Sequence, residues 1–265
     1  MGMTDFEGLV AVVTGGASGI GAATVRVLRS RGAAVAVFYL SHKPDAPAEL
    51  MMPCDVGDTE SVEASIRAAA DRLGRIDIVV NSAGIGATGT VADNNDDEWL
   101  RVLNINLLGI VRVSRASLPH LTASRHAAIV NVCSVLGVVG VSQRAVYSAS
   151  KGAVAALTLA MAADHLAHGI RVNAVLPGTT DTPWVTRLLQ AAEDPAGAQA
   201  ALRARQPMGR LITPEEVAHA IAYLASPHAA STTGTLLAVD GGMTALRPQG
   251  GRPDEVASAI AQPAA

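Results

Sequence analysis

The sequence predicts an α/β architecture: a doubly wound parallel sheet of seven strands with helices on both faces. Three observations lead there. Seven short apolar runs recur along the 265 residues, and most are uninterrupted, as strands buried on both faces require. Between most of them lie segments long enough for a helix, the spacing of βαβ units. The first run also leads straight into a glycine cluster that opens a helix, and open sheets of this kind place their sites beyond the carboxyl ends of the strands.

Taken in order, "LVAVVTG" (9–15) is the first strand, followed by a helix from about Ile20 to Arg31. "AAVAVFYL" (33–40) and "AELMMPCDV" (48–56) are the second and third, joined by "SHKPDAPAE", which leaves little room for the usual helix. Residues 58–73 read as helix, "RIDIVVNSAG" (75–84) as strand, and 96–123 as one long helix. "HAAIVNVCS" (126–134) is the fifth strand and 145–168 a helix. "GIRVNAVLPG" (169–178) leads into an irregular helical region at 184–205, a helix at 214–225 and the last strand, "TLLAVDGG" (235–242). Residues 1–246 therefore read as one domain, and 247–265 as a tail without a core pattern, either a loose appendage or a partner-contacting arm.

Composition narrows the function classes. With 49% hydrophobic and 16% charged residues the chain is not disordered. No uninterrupted apolar run reaches membrane-spanning length, and the acidic start "MGMTDFEG" does not resemble a leader. A soluble cytoplasmic protein is expected. A net charge of −3 with dispersed basic residues speaks against nucleic acid. Cys54 and Cys133 form no CxxC pair and read as reduced, buried thiols. His165 and His168 lack a third ligand type, so no metal site is expected.

The cluster "TGGASGIG", Thr14 to Gly21, follows a strand and opens a helix. That context lets main chain approach a pyrophosphate at the helix N-terminus, the Rossmann-type phosphate loop. A second signal is "QRAVYSASKG" (143–152), whose Arg144, Tyr147 and Lys151 fall on one face if the segment is helical. The face is either simply solvated or a device for tuning a phenol. An ammonium about 4 Å from a phenol favours phenolate by roughly 4 kcal/mol at an effective dielectric of about 20. That is equivalent to roughly three pKa units, enough to bring tyrosine into range as a general acid/base.

These motifs, with "NSAG" (81–84), "NLLG" (106–109), Ser134, "PGTTDT" (177–182) and "VDGG" (239–242), resemble the short-chain dehydrogenase/reductase family over residues 5 to 245. The resemblance implies an oxidoreductase moving a hydride between a nicotinamide cofactor and a secondary alcohol or ketone. It implies catalytic roles for Asn106, Ser134, Tyr147 and Lys151, with Asn106 organising a proton-relaying water. The hydroxyl of Ser134 would face Tyr147 across the site and stabilise the substrate oxygen. Cofactor contacts are implied for Gly15, Ser18, Gly19, Ile20 and Gly21, for Asp55 and Val56 at the adenine, and for Asn81, Ala83 and Gly84. Pro177, Gly178, Thr180 and Thr182 complete the set, with Tyr147 and Lys151 shared.

The second strand departs from the family pattern. Tyr39 stands where NAD-binding members carry Asp, and Leu40 and Ala17 where NADP-binding members carry Arg or Lys; His42 and Lys43 follow in the loop. The short second link, "PGTTDTPW", "RQPMGR" (205–210) and "QRAVYS" resemble the branch with type-2 3-hydroxybutyrate dehydrogenases and fucose and 2-keto-3-deoxy-fuconate dehydrogenases. That implies NAD, with NADP not excluded, and a small hydroxy acid, keto acid or sugar-derived substrate. Independently, arginine matches a carboxylate by paired hydrogen bonds, which makes Arg144, Arg187 and Arg205 candidate substrate ligands. Two competing functions are turnover of apolar ketones, steroids or acyl thioesters, and a non-catalytic cofactor-binding or scaffold protein. A serine hydrolase is disfavoured, since no GxSxG elbow occurs. The resemblance also implies a homo-oligomer, a tetramer in relatives, using helix 145–168 and the last strand.

Overall fold

The computed structural model describes residues 4–41 and 48–247. Its strands are β1 (Val10–Thr14), β2 (Ala34–Tyr39), β3 (Leu50–Pro53), β4 (Ile78–Asn81), β5 (Ala128–Val132), β6 (Arg171–Pro177) and β7 (Leu236–Val239). All neighbours run parallel, in the order β3-β2-β1-β4-β5-β6-β7. The order reverses between β1 and β4, which opens a crevice beyond their carboxyl ends.

The helices are α1 (Gly19–Ser30), α2 (Thr59–Leu73), α3 (Asp96–Leu103), α4 (Gly109–Thr122), α5 (Ala145–His165), α6 (Pro183–Gln190), α7 (Pro195–Ala204) and α8 (Pro214–Ala225). The uninterrupted apolar runs are explained by burial on both sides. In β1, Ala11 and Val13 face the core under α1 and α8, while Val12 faces the core under α2, α4 and α5. In β2, Val35 and Val37 alternate in the same way with Ala36 and Phe38. Fully burying one such side chain is worth about 1.5–3 kcal/mol, so these strands hold the two layers together.

Element ends have local causes. Asp58 caps α2 by accepting from Ser61 N at 3.0 Å, and Gly74 closes it in the left-handed region at φ 81. Thr213 and Glu216 form a capping box on α8, with Pro214 at its first position.

The elements differ from expectation in several places. The helix expected over 96–123 is interrupted by a π turn at Asn104–Leu108, which turns Asn106 inward. The region 184–205 resolves into α6 and α7, each restarted by a proline at its first turn. Strand runs overshoot the sheet: residues 54–56, 82–84 and 240–242 leave it as loops, of which 82–84 line the crevice. The expected helix 145–168 ends at His165 and finishes as a tighter turn, Leu166–His168, before Gly169. By length and composition alone it would also suit a membrane, although Lys151 and Asp164 keep it from being an uninterrupted apolar run. In this fold its inner face packs on β6 and the core. His42, Lys43 and the tail beyond Arg247 lie outside the described residues.

Candidate active site

Where β1 ends, Thr14 accepts hydrogen bonds at 3.1 Å from the backbone N–H groups of Ser82 and Ala83, tying the phosphate loop to the loop after β4. Gly15 has φ 64, and a Cβ there would stand 2.9 Å from Ala83 Cα. A Cβ on Gly21 would run into the Gly15 carbonyl oxygen. Only glycine permits this approach. Helices α2, α3, α6, α7 and α8 are capped by Asp58, Asn95, Thr182, Asp194 and Thr213, whereas Ser18 gives α1 no side-chain cap, as is also the case for α4 and α5. The first N–H groups of α1 thus point at the cleft without a side-chain acceptor, which fits a pyrophosphate and hence a dinucleotide cofactor.

A cleft of about 590 Å³ runs from this loop past the ends of β4, β5 and β6 to α6. It gathers most of the expected residues. At the nucleotide end stand Gly15, Ser18, Gly19, Ile20 and Gly21, with Ala83 and Gly84 opposite. Pro177, Gly178, Thr180 and Thr182 form the wall after β6. Ser134, Tyr147 and Lys151 lie at the reaction end, with Arg144, Arg187 and Arg205 around it.

Other expected residues stand elsewhere. Tyr39, the last residue of β2, and Asp55 and Val56, beyond the carboxyl end of β3, are outside the cleft walls. The Asn81 side chain is buried in a polar ladder, donating to Asn131 Oδ1 at 2.9 Å and Ser114 Oγ at 3.3 Å. Asn131 in turn donates to Thr158 Oγ1 at 2.9 Å. Asn106 is fully buried: its Oδ1 accepts from Ile85 N at 2.8 Å, and its Nδ2 donates to Ile85 O at 2.9 Å and Ser150 Oγ at 3.1 Å. Ser150 passes the chain of bonds to the Tyr147 carbonyl at 2.7 Å. The Asn106 amide is therefore committed to fixing the β4 loop against the first turn of α5.

Two expectations about "QRAVYSASKG" need correction. Arg144 does not share a helix face with Tyr147, because it precedes α5 with non-helical φ −139 and ψ 25. Gln143 before it has φ 61, the one non-glycine in the left-handed region among the described residues. That strained turn docks on Gly89, whose N–H donates to Gln143 O at 3.0 Å. It sends Arg144 Nη1 to Ala87 O and Thr88 Oγ1, each at 3.0 Å. Arg144 Nε and Nη2 make no hydrogen bond among the described residues and remain available to the cleft.

The second correction concerns the phenol. Lys151 Nζ donates to Val132 O at 2.9 Å and lies 5.8 Å from the Tyr147 ring centre. Burial dominates instead and pushes the Tyr147 phenol up to about 12, opposed by a hydrogen bond with Ser134 and by the charge of Arg144. Burial likewise lowers Lys151. Cys133 is a buried thiol as expected, donating to Lys151 O at 3.1 Å.

Sequence reading missed Arg101 and Trp184, both of which line the cleft. Arg101 carries no motif, and Trp184 was visible only as the last letter of "PGTTDTPW". With Arg101 included, the walls hold four arginines and Lys151 and, among the described residues, no Asp or Glu. Arg144 is held low by burial and then by the positive charge of Arg205. Gln206, fully buried beside Arg205, accepts from Thr179 N at 3.1 Å and donates to Leu202 O at 2.8 Å, fixing that segment to the wall after β6.

Residues 15–244 match a family model described as enoyl-(acyl carrier protein) reductase. The chain is 45% identical over 251 residues to cis-4-hydroxycyclohexanecarboxylate dehydrogenase of Sinomonas cyclohexanicum, covering 91% of this chain and 98% of the relative. It is 37% identical over 246 residues to L-fucose dehydrogenase of Bos taurus, covering 90% of each. Among solved structures, the aldohexose dehydrogenase of Thermoplasma acidophilum superposes with a TM-score of 0.88 at 34% identity, over 95% of this chain and 100% of that one. A parallel seven-stranded sheet, an uncapped glycine-loop helix and a Tyr–Lys pair at one cleft agree with these matches. The chain belongs to the short-chain dehydrogenase/reductase family, oxidoreductases that act on CH–OH groups with a nicotinamide cofactor.

Proposed function

We propose that this protein is an NAD-dependent dehydrogenase of a small hydroxy acid, or reductase of the matching keto acid. The observation that carries the reading is the cleft's charge, five cationic side chains and no carboxylate among the described residues. Such a wall disfavours cations and matches an anion by charge-assisted hydrogen bonds. Arg144 and Arg205 grip the carboxylate, with Arg187 on α6 nearby. The name of the 45% identical relative also contains a carboxylate.

The nicotinamide, when bound, supplies or accepts the hydride. This chain's own residues handle orientation and protons. Tyr147 gives its phenolic proton to the developing alkoxide in reduction and removes the carbinol proton in oxidation. Ser134 donates a hydrogen bond to the same oxygen as charge develops there. Lys151 holds the ribose and, with Asn106 behind it, keeps the proton path aligned. The glycine loop with Ser18 and Ile20 binds the pyrophosphate, Asp55 and Val56 the adenine, and Thr180 and Thr182 the carboxamide side. Asn81 acts by holding its loop, and Tyr39 meets the adenosine ribose without selecting for a 2′-phosphate.

The preference for NAD is supported by the branch the motifs resemble and by the uncharged Ala17 and Leu40. A cytoplasmic homotetramer of one catalytic domain, 1–246, fits the free thiols and the outward face of α5. That face exposes Ala149, Ala156, Leu159, Ala160 and Ala163.

The test is a panel of hydroxy acids and matched neutral alcohols, assayed with NAD and with NADP. Acids are expected to show the higher kcat/KM, with NAD. In Arg144→Ala, the KM for acids rises about 10–100-fold while that for neutral alcohols holds, the range of a lost charge-assisted bond. Equal rises for both classes would remove Arg144 from substrate recognition, and faster turnover of apolar ketones by wild type would overturn the reading.

A further inference from the structure

We propose that Asn104 and Arg112 form a clasp that positions the adenosine loop Asp55–Gly57. The proposal rests on the reading above that Asp55 and Val56 meet the adenine. Arg112 spreads its guanidinium over four acceptors: Nη1 donates to Val56 O and Asn104 O at 3.2 Å each, Nη2 to Asn104 Oδ1 at 2.7 Å, and Nε to Thr59 Oγ1 at 3.2 Å. Asn104 Nδ2 donates to Gly57 O at 3.2 Å. The clasp therefore takes up the carbonyls of Val56 and Gly57, while Asp55 O accepts from Asp58 N at 3.1 Å. Close packing backs the bonds, since a Cβ on Gly57 would stand 2.9 Å from Ile105 Cδ1, and one on Gly109 2.9 Å from Val56 Cγ2.

The loop is thereby left with one orientation. Asp55 Oδ1 is spent on Gly57 N at 2.7 Å, while Oδ2 makes no hydrogen bond among the described residues. With the Val56 and Gly57 carbonyls on the clasp and Asp55 O on Asp58 N, Oδ2 is the acceptor left for an exocyclic amine such as that of adenine. A planar fork with five donors is needed for this pattern, and lysine does not supply it. The Asn104 half of the clasp stands on the π turn that carries Asn106, and Arg112 on the helix α4 that follows. Through Asn104 and Asn106 that turn thus ties the adenosine loop and the start of α5 to one stretch of chain.

Two variants and one control test the assignment, read by calorimetric titration with AMP, by steady-state kinetics with varied dinucleotide and by ligand-free Tm. Asn104→Asp keeps the acceptor for Arg112 but loses the donor to Gly57 O; Arg112→Lys removes the fork. Both are expected to weaken AMP about tenfold, the scale of one lost hydrogen bond with a misplaced group. The dinucleotide KM should rise in step, with kcat at saturation within about twofold and Tm within about 2 °C for Asn104→Asp. Asp55→Ala is expected to weaken AMP at least as much. If Asp55→Ala leaves AMP binding intact, the adenosine placement itself fails and the clasp with it. If Asp55→Ala weakens AMP but the clasp variants do not, only the clasp fails. AMP affinity that falls only together with Tm and kcat would reduce both residues to structural support.

Discussion

The two ends of the cleft are built by opposite means. Between β1 and α1 the surface is main chain, with Gly15 and Gly21 in contact with neighbouring backbone and the first N–H groups of α1 uncapped. At the far end it is side chain: Ser134, Tyr147 and Lys151 beside Arg144 and Arg205. The first end works through atoms it lacks, and any added methyl harms it. The second works through atoms it has, and any truncation harms it. An end made of backbone recognises a generic phosphate, whereas an end made of placed side chains decides chemistry and substrate.

Tyr147→Phe breaks this comparison most directly. It removes one oxygen at the reaction end, and kcat should fall about 10³-fold, within the usual range for a lost acid/base. Dinucleotide affinity should stay within a few-fold. Unchanged turnover would point to a protein that binds cofactor without chemistry. The same phenol predicts a pH profile. Held near 12 by burial, it keeps its proton through neutral pH and loses it only as pH rises. Oxidation, which needs the phenolate, should therefore gain up to about tenfold in kcat/KM per pH unit between pH 7 and 10. Reduction, which needs the protonated phenol, should stay flat over that range. An oxidation profile already level at pH 7 would mean that the site pulls the phenol far below 12 during turnover.

Gly21→Ala is the converse experiment. The added Cβ meets the Gly15 carbonyl oxygen, so the loop must move, at about 1–3 kcal/mol. Dinucleotide affinity should drop roughly 10–100-fold while the geometry at Tyr147 is kept. A loss of kcat without loss of cofactor affinity would contradict the division between the two ends.

That division also explains what could be read from the sequence. Glycines that must be glycine leave a mark, so the Thr14–Gly21 loop and its strand were legible, as were "YSASK" and the parallel sheet. Positions set by tertiary contact were less so. Arg144 looked helical because its spacing fits, yet the strained turn at Gln143 and the docking on Gly89 decide its place. The placing of the Lys151 ammonium was not legible because spacing along a helix says nothing of Val132 O, the carbonyl that holds it. The π turn at 104–108 was invisible, since its cause is the bonding of Asn106 to Ile85, 21 residues away in sequence.

The smallest effect sharpens how the reaction end is held. Arg210 closes the segment after α7 that carries Arg205, and it binds Glu216 through both carboxylate oxygens at 2.7 and 2.9 Å. Arg210 first, with the cap at Thr213 assisting, holds the Glu216 carboxyl at about 2 against an ordinary 4.5. Because the folded value is the lower one, the pair stabilises fully above about pH 4.5. That stabilisation drains away as pH falls towards 2. Both side chains are more than a third exposed, so the ion pair contributes at most about 1 kcal/mol after screening. Glu216→Gln should lower Tm by about 2–4 °C at pH 7, and the deficit should shrink by pH 3. Arg205-dependent KM values should rise less than about threefold, since Gln206 still ties the segment to Thr179 N. An equal Tm deficit at both pH values would assign the loss to the cap rather than to charge. A KM rise as large as that of Arg144→Ala would show that the Arg210–Glu216 pair, and not Gln206, sets the position of Arg205.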